Sequence, residues 1–312
     1  NILMITSVFK KSTPLNYSLV VILMLVFFFI FQFQDISWTK SLISISEKIS
    51  LLIVVLGSML ITNFVVKKNG LSKDNGYTIF FYLLLTLFFP SALNNPNILL
   101  ANFFVLLALR RLLSLQSLKA SKEKIFDASL WILLASLFQF WSILFMVLVF
   151  ISIIFHVAGD YRNWILPFIA LFAIATLFLL VALLFNIDVL AFFHDRVIVD
   201  FRINYFTNNY QNGALSIYVA VALFFVVSLL MTLSNRPLLL HSSYKKIVAY
   251  FFIGVIIFLV SPNKSNDLLL FTVAPLAIMG SSHIEFSQNK LNNEIVFGVL
   301  ILCSLFTFFS QL

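Results

Sequence analysis

Long apolar segments alternate with short polar ones along the whole chain. Eleven apolar segments stand out: 14–33, 50–66, 77–90, 98–113, 128–140, 142–157, 164–185, 214–233, 247–260, 268–282 and 295–311. A helix crossing a bilayer needs roughly 17–25 mostly apolar residues, so the pattern predicts about 11 transmembrane spans. Segments 77–90 and 128–140 are short. They predict helices buried among their neighbours, entering a thinned bilayer, or re-entrant. The widest polar gap is 186–213, NIDVLAFFHDRVIVDFRINYFTNNYQNG, between the seventh and eighth segments.

Composition agrees with this pattern. Hydrophobic residues make up 62% and charged residues 10%. Soluble domains are near 45–50% apolar and about 25% charged. The fold class expected is all-α, a polytopic transmembrane helical bundle forming one integral membrane domain over 1–312. Its parts are seven spans in 1–185, the outer stretch 186–213, and four further spans in 214–312. No internal repeat, low-complexity tract or soluble domain interrupts it. Segment 15–33 is too long for the apolar region of a cleavable signal and no small-x-small site follows, so it is read as a retained span.

Charge sets the sidedness. With the N-terminus inside, the inner connections hold 15 of the 20 Lys and Arg residues. The outer connections hold the other five, Lys40, Lys48, Arg196, Arg202 and Lys264. The 12 acidic residues divide evenly. Orientation follows Lys and Arg and is nearly indifferent to acids, so this is the positive-inside pattern. Trp38 and Trp141 fall at the outer interface, Trp131 and Trp164 at the inner one, as an aromatic belt requires. The chain is read as a multi-pass protein of the bacterial inner membrane with its C-terminus periplasmic. The pI of 9.6 follows from this sidedness, so a nucleic-acid partner is not expected. The single Cys303 allows no internal disulfide, and His156, His194, His241 and His283 are too scattered for a multi-His metal centre.

Candidate chemistry lies on the outer side. Asp35 directly follows the first span, and 39–49 interleaves Leu42, Ile43, Ile45 and Ile49 with Lys40, Glu47 and Lys48, the pattern of a short helix lying on the interface. Asp35 is either a solvated helix end or a general base, or a ligand for a divalent cation. The gap 186–213 gathers His194, Asp195, Arg196, Asp200 and Arg202. His194, Arg196 and Arg202 suit a phosphate through charge-assisted hydrogen bonds. They equally suit an interfacial loop whose charges pair among themselves. Phe192, Phe193, Phe201, Tyr205, Phe206 and Tyr210 read as interface anchors or as sugar-stacking surfaces. Lys264 and Asp267 are weaker candidates. Asn97 is expected to cap the fourth span.

Two resemblances extend this picture. Met4–Tyr17, MITSVFKKSTPLNY, resembles the start of an uncharacterised family of multi-pass proteins from Flavobacteria and related Bacteroidota. The layout is similar to the GT-C superfamily of membrane glycosyltransferases: an inside N-terminus, an outer acid beside the first span (Asp35), a surface-lying segment (39–49), then SALNNPNILLANFFVLLALRR (91–111) and KIFDASLWILLASLFQFWSILF (124–145). The chain departs from that superfamily in carrying Asp35 without a paired acid, and Asn94 or Asn97 where many members have Asp. The resemblance implies a GT-C-like core over 1–185. It also implies sugar transfer from a polyprenyl-phosphate donor on the periplasmic side, with Asp35 as base or metal ligand. Arg196, Arg202 and His194 would hold the lipid phosphate, with Lys264 a further substrate-binding candidate. The alternative is a non-catalytic subunit of an envelope secretion, motility or polymer-export complex. Membrane lipids are partners in either case. Proton-coupled transport is disfavoured, because the spans carry almost no interior charge.

Overall fold

The computed structural model describes residues 5–203, 208–287 and 289–312. Among them are thirteen α-helices: α1 (Ile5–Phe9), α2 (Pro14–Gln32), α3 (Leu42–Lys68), α4 (Tyr77–Thr86), α5 (Pro96–Leu113), α6 (Ser121–Phe138), α7 (Met146–His156), α8 (Tyr161–Leu184), α9 (Val189–His194), α10 (Asn209–Thr232), α11 (Leu238–Val260), α12 (Leu270–Phe286) and α13 (Lys290–Ser310). Eight helical stretches among the described residues, each at least 18 residues, are long and apolar enough to cross a membrane. The remaining three of the eleven expected segments form α4, α6 and α7. The first and last are shorter apolar helices, and α6 begins with Lys122, Glu123, Lys124 and Asp127.

Hydrogen bonds sort the helix ends into two groups. At one end Lys67 donates to Tyr17 and Ser12, and Tyr77 Oη donates to the Thr6 carbonyl at 3.0 Å. Glu285 there receives the Asn75 amide at 2.6 Å and the Lys73 N–H at 3.0 Å, and Lys122 pairs with Asp160 at 3.2 Å. At the other end Gln32 donates to Asn94 at 2.7 Å, Arg196 to the Leu137 carbonyl at 2.8 Å, and Gln311 to the Phe88 carbonyl at 3.0 Å. The first is the Lys- and Arg-rich end of the sequence pattern; the second gathers the polar turns. Helices α4, α6 and α7 run between the same two ends.

The core is built on α4 and α12. All ten residues of α4 are buried, and 94% of the span window containing α12 is buried. This is the buried outcome expected of a short segment: Gly76 begins it and Pro90 opens a 3-10 turn after it. Inside a bilayer the hydrophobic effect does not drive helices together, so close van der Waals packing at small residues must. Gly280 on α12 supplies it, since a Cβ there would lie 2.8 Å from the Phe81 ring on α4. At the periphery only 17% of the span window in α8 is buried, leaving Phe172, Leu183 and Leu184 as part of a broad apolar outer face.

Three expectations are corrected. Segment 39–49 is no separate surface helix: a 3-10 turn covers Ile36–Lys40, and from Leu42 the chain enters the 27-residue α3 without a break. Ser44, Ser46 and Ser50 are no barrier, because the hydroxyls of Ser46 and Ser50 bond back to carbonyls three residues earlier. Asn97 is not the cap of α5. Asn95 is, accepting the Ile98 N–H at 3.3 Å, because Pro96 has no N–H to lose and fixes the first helical position. Arg236 and Lys246, which the span boundaries place in the inner connection between 214–233 and 247–260, are not solvated there. Helix α11 starts at Leu238, and the two side chains are 4% and 0% exposed. Lys246 reaches the Leu112 carbonyl at the end of α5 (2.7 Å) and His156 Nε2 at the end of α7 (3.2 Å). Helix C-termini are partially negative, so these ends replace a carboxylate partner.

Candidate functional site

The polar end holds two clefts. The first, of about 270 Å³, is lined by residues that include Gln32, Asp35, Trp38, Glu47, Lys48 and Asn94. Asp35, in an extended conformation, follows the turn that closes α2 and caps the 3-10 turn, its carboxylate receiving the Ser37 N–H at 2.9 Å. That hydrogen bond, the Ser37 side chain and the charges of Lys48 and Lys40 hold its carboxyl below the usual range. Asn94 Oδ1 accepts from both Gln32 Nε2 and Lys48 Nζ at 2.7 Å, and Trp38 Nε1 donates to the Gln32 carbonyl at 3.0 Å. The wall is therefore a short polar network joining α2, α3 and the Pro90–Asn94 turn.

Because the folded carboxyl of Asp35 titrates below its unfolded value, the cap is intact above the ordinary carboxylate range. It is lost as pH falls through the folded value. Trp38 fluorescence of the purified protein is expected to stay constant from pH 7 to 5 and to change only below the ordinary carboxylate range. In Asp35→Asn that acid transition should vanish, since an amide caps without titrating.

The second cleft, about 250 Å³, lies on the other side of the same turn. Asn95, Asn97, Phe138, Gln139, Phe140, Asp195, Arg196, Asn263 and Ser265 are among its walls. Its lining is rich in amides and aromatics, with one carboxylate and one guanidinium. Arg196 gives one hydrogen bond to the Leu137 carbonyl at 2.8 Å and stacks 3.9 Å from the Phe192 ring centroid. A guanidinium carries five N–H donors, so this leaves capacity for an anion.

Asp267 sits behind this wall. It is 8% exposed and its carboxylate takes the Ser91 hydroxyl and the Asn95 amide, the latter at 3.3 Å. It thus ties the Pro90–Asn94 turn and the Asn95 that follows it to the Asn266–Leu269 turn; the first cleft draws Asn94 from that turn and the second draws Asn95, the next residue. In the sequence Asp267 was only a weak candidate, because an Asp before a span usually caps it in solvent. The signal was its place in SPNKSND opposite SALNNPN, two polar turns on the same side.

The other expected site residues do not gather. Asp35 and Arg196 line different clefts. His194 Nδ1 meets its neighbour Asp195 at 2.9 Å, with side chains 80% and 85% exposed. Arg202 meets Asp200 at 3.7 Å and is itself 86% exposed. Lys264 is buried and donates to the Asp200 carbonyl, while Asp200 N–H bonds the Val260 carbonyl at 3.1 Å. It fastens the long stretch to the end of α11 instead of facing a cleft. Two of these contacts, His194–Asp195 and Arg202–Asp200, pair a base with an acid of the same loop. Phe192 and Phe193 pack on Phe178, as anchors do, while Phe201 and Tyr210 are exposed. Tyr205 and Phe206 lie outside the described residues. Among the described residues no three His, Cys, Asp or Glu side chains converge as a metal site.

No curated protein and no solved structure matches the chain. The model of one protein family, a family of unknown function (DUF6427), matches residues 5–312.

Proposed function

The chain belongs to that family of unknown function, and from this premise we propose that it is a lipid-dependent, glycosyltransferase-like membrane protein. All eleven apolar helical segments, the short ones included, would cross the membrane, with the polar end and the C-terminus on the periplasmic side of a bacterial inner membrane. The observation that supports it is the pair of polar clefts flanking one turn, Asn94 in one wall and Asn95 with Asn97 in the other. Group transfer needs two substrates brought to a common border. A cleft near 250 Å³ is below the usual 300–1,000 Å³ of drug-sized sites, which fits one sugar ring better than an oligosaccharide. Amides suit its hydroxyls, Phe138 and Phe140 its apolar face, and Arg196 the phosphate of a polyprenyl-phosphate donor. An acceptor in the Asp35 cleft would attack the anomeric carbon through a hydroxyl oxygen. The sugar–phosphate C–O bond breaks, polyprenyl phosphate leaves, and Asp35 takes the hydroxyl proton.

The test is lipid-linked sugar profiling by mass spectrometry in strains carrying wild type, a deletion, Asp35→Asn or Arg196→Ala at matched protein level. Asn keeps the cap on the 3-10 turn, so Asp35→Asn removes the base without removing the fold. The expected result is accumulation of one lipid-linked sugar in all three altered strains. For Arg196→Ala the expected fall in turnover is about ten- to a hundredfold, the worth of one charge-assisted hydrogen bond.

A second function has its own support: a non-catalytic subunit of an envelope complex. His194 and Arg202 are engaged with acids of their own loop and Lys264 with the backbone of that loop, and α8 offers a long apolar face that a partner helix could cover. A deletion phenotype combined with wild-type behaviour of Asp35→Asn and Arg196→Ala would select it and end the enzymatic proposal.

A further inference from the structure

At the basic end, far from both clefts, a buried cation stands beside a groove open to lipid. Arg236 is 4% exposed. Its guanidinium lies between Tyr244 and Phe286, 4.5 and 4.0 Å from their ring centroids. Its donors go to hydroxyls: Tyr244 at 3.0 Å, Thr232 at 3.1 Å, and Ser282. Its Nε has no partner, and no described carboxylate lies within 4 Å of it. The C-terminal ends of α10 and α12 offset part of the charge. A buried cation without a counter-ion is nonetheless strongly unfavourable.

The groove begins beside this cation. Thr232, which accepts from Arg236, lines a hollow of about 470 Å³ with Ser228, Met231 and His283. His283 gives its Nδ1 edge to Ser228 at 2.6 Å and leaves Nε2 buried without a partner. Phe224 is shared with a second, almost wholly apolar hollow of about 330 Å³ between α10 and α13, which reaches Ile217. From Ile217 to Thr232 the groove follows α10 for about 22 Å at 1.5 Å per residue. Half of a 30 Å hydrocarbon core is about 15 Å. The groove is thus longer than one leaflet is deep, and it has room for one lipid chain hanging from its leaflet into the membrane.

We infer that this groove is a binding site for one anionic glycerophospholipid of the leaflet at the basic end, its acyl chain along α10 and its phosphate at the Thr232 and His283 mouth, where the Arg236 charge lies one hydroxyl behind the wall. The charge decides between lipids. A zwitterionic headgroup brings its own cation, whereas an anionic one supplies the missing negative charge. Lys and Arg residues collect at this end, and the leaflet facing such residues is the anionic one in the positive-inside arrangement. The site is independent of the glycosyl-transfer proposal, since it shares no residue with either cleft.

The test uses the full chain in nanodiscs containing equal parts phosphatidylglycerol and phosphatidylcholine, then detergent extraction and native mass spectrometry of retained lipid. Wild type should retain phosphatidylglycerol over phosphatidylcholine by fivefold or more, at one per chain. Arg236→Gln should bring the ratio near one. That variant also touches the packing of Tyr244, so a second one fills the groove from its lipid side. Ala220→Phe, with Arg236 intact and an unchanged gel-filtration profile, should lose the bound lipid. Free phosphate added at millimolar concentration should not displace the lipid, because the chain holds it in place. Equal retention of the two lipids by wild type, or a phosphatidylglycerol preference that survives Ala220→Phe, would overturn the site.

Discussion

Gly280→Leu is expected to abolish recovery of folded protein, and Gly280→Ala to lower its melting temperature sharply. The first atom of any side chain at 280 lands 2.8 and 2.9 Å from the ring of Phe81 and 3.3 Å from that of Phe225. Both rings are essentially unexposed, at 0% and 1%, so neither has anywhere to swing. Overpacking a well-filled interior by a methylene or so costs about 1–3 kcal/mol. Leu adds three more carbons at the same point, against a total stability of roughly 5–15 kcal/mol. Two further variants isolate the cause. Gly280→Ala combined with Phe81→Leu should recover part of the loss, with a coupling within the 0.5–3 kcal/mol seen for residues in contact. Gly298→Ala on α13, where an added Cβ meets nothing within 4 Å, should be neutral or stabilising by up to about 1 kcal/mol, the gain of removing a helical glycine. Thermal unfolding in a mild detergent, followed by gel filtration, reads all four. A melting temperature for Gly280→Leu equal to wild type would mean that α4 and α12 do not approach this closely.

Asp267→Ala should have the second largest effect, and should disturb both clefts together. The carboxylate is the common partner of Ser91 and Asn95. Without it two donors at the base of the turn have no acceptor. Each hydrogen bond to a charged group contributes about 1.5–3 kcal/mol. Removing the carboxylate also removes its own burial cost, so the net loss should be about 2–3 kcal/mol. Asn95 additionally caps α5 through its oxygen, and its orientation depends on which way its amide is drawn. Asp267 is a positioning residue in this account. Asp267→Asn, which keeps one acceptor oxygen, should therefore recover about half of the stability. In the sugar-profiling assay, Asp267→Ala should resemble Arg196→Ala and Asp35→Asn combined, not either alone. If Asp267→Ala melts with wild type, the two turns are joined by something other than this carboxylate.

Much of the architecture could be read directly from residue order. Apolar runs near the span length gave the helices α2, α5, α8, α10 and α13 within a few residues, because a bilayer leaves the backbone few other solutions. The grouping of Lys and Arg anticipated which helix ends would meet, since that bias is a property of whole connections and needs no knowledge of contacts. The shortness of 77–90 already implied burial, and α4 is buried throughout. The polar composition of SALNNPN, 91–97, places that turn with the other outer polar stretches.

The site was only partly legible, for reasons of direction and partnership. Sequence proximity made His194, Arg196, Asp200 and Arg202 look like one cradle. In the structure Arg196 lines the second cleft, whereas His194 pairs with Asp195 and Arg202 with Asp200. Asp35 was visible because it stands alone after a span, but that its cleft borders a second one across Asn94 and Asn95 depends on where α5 begins. The sequence by itself determined an all-α chain with apolar helices long enough to cross a membrane, and which connections share an end, because bilayer thickness and charge sidedness act on single segments. Only the tertiary structure decided that Lys246 and Arg236 are buried, that Asp267 joins two turns, and which charges meet: those depend on distances between residues far apart in sequence, which no local pattern encodes.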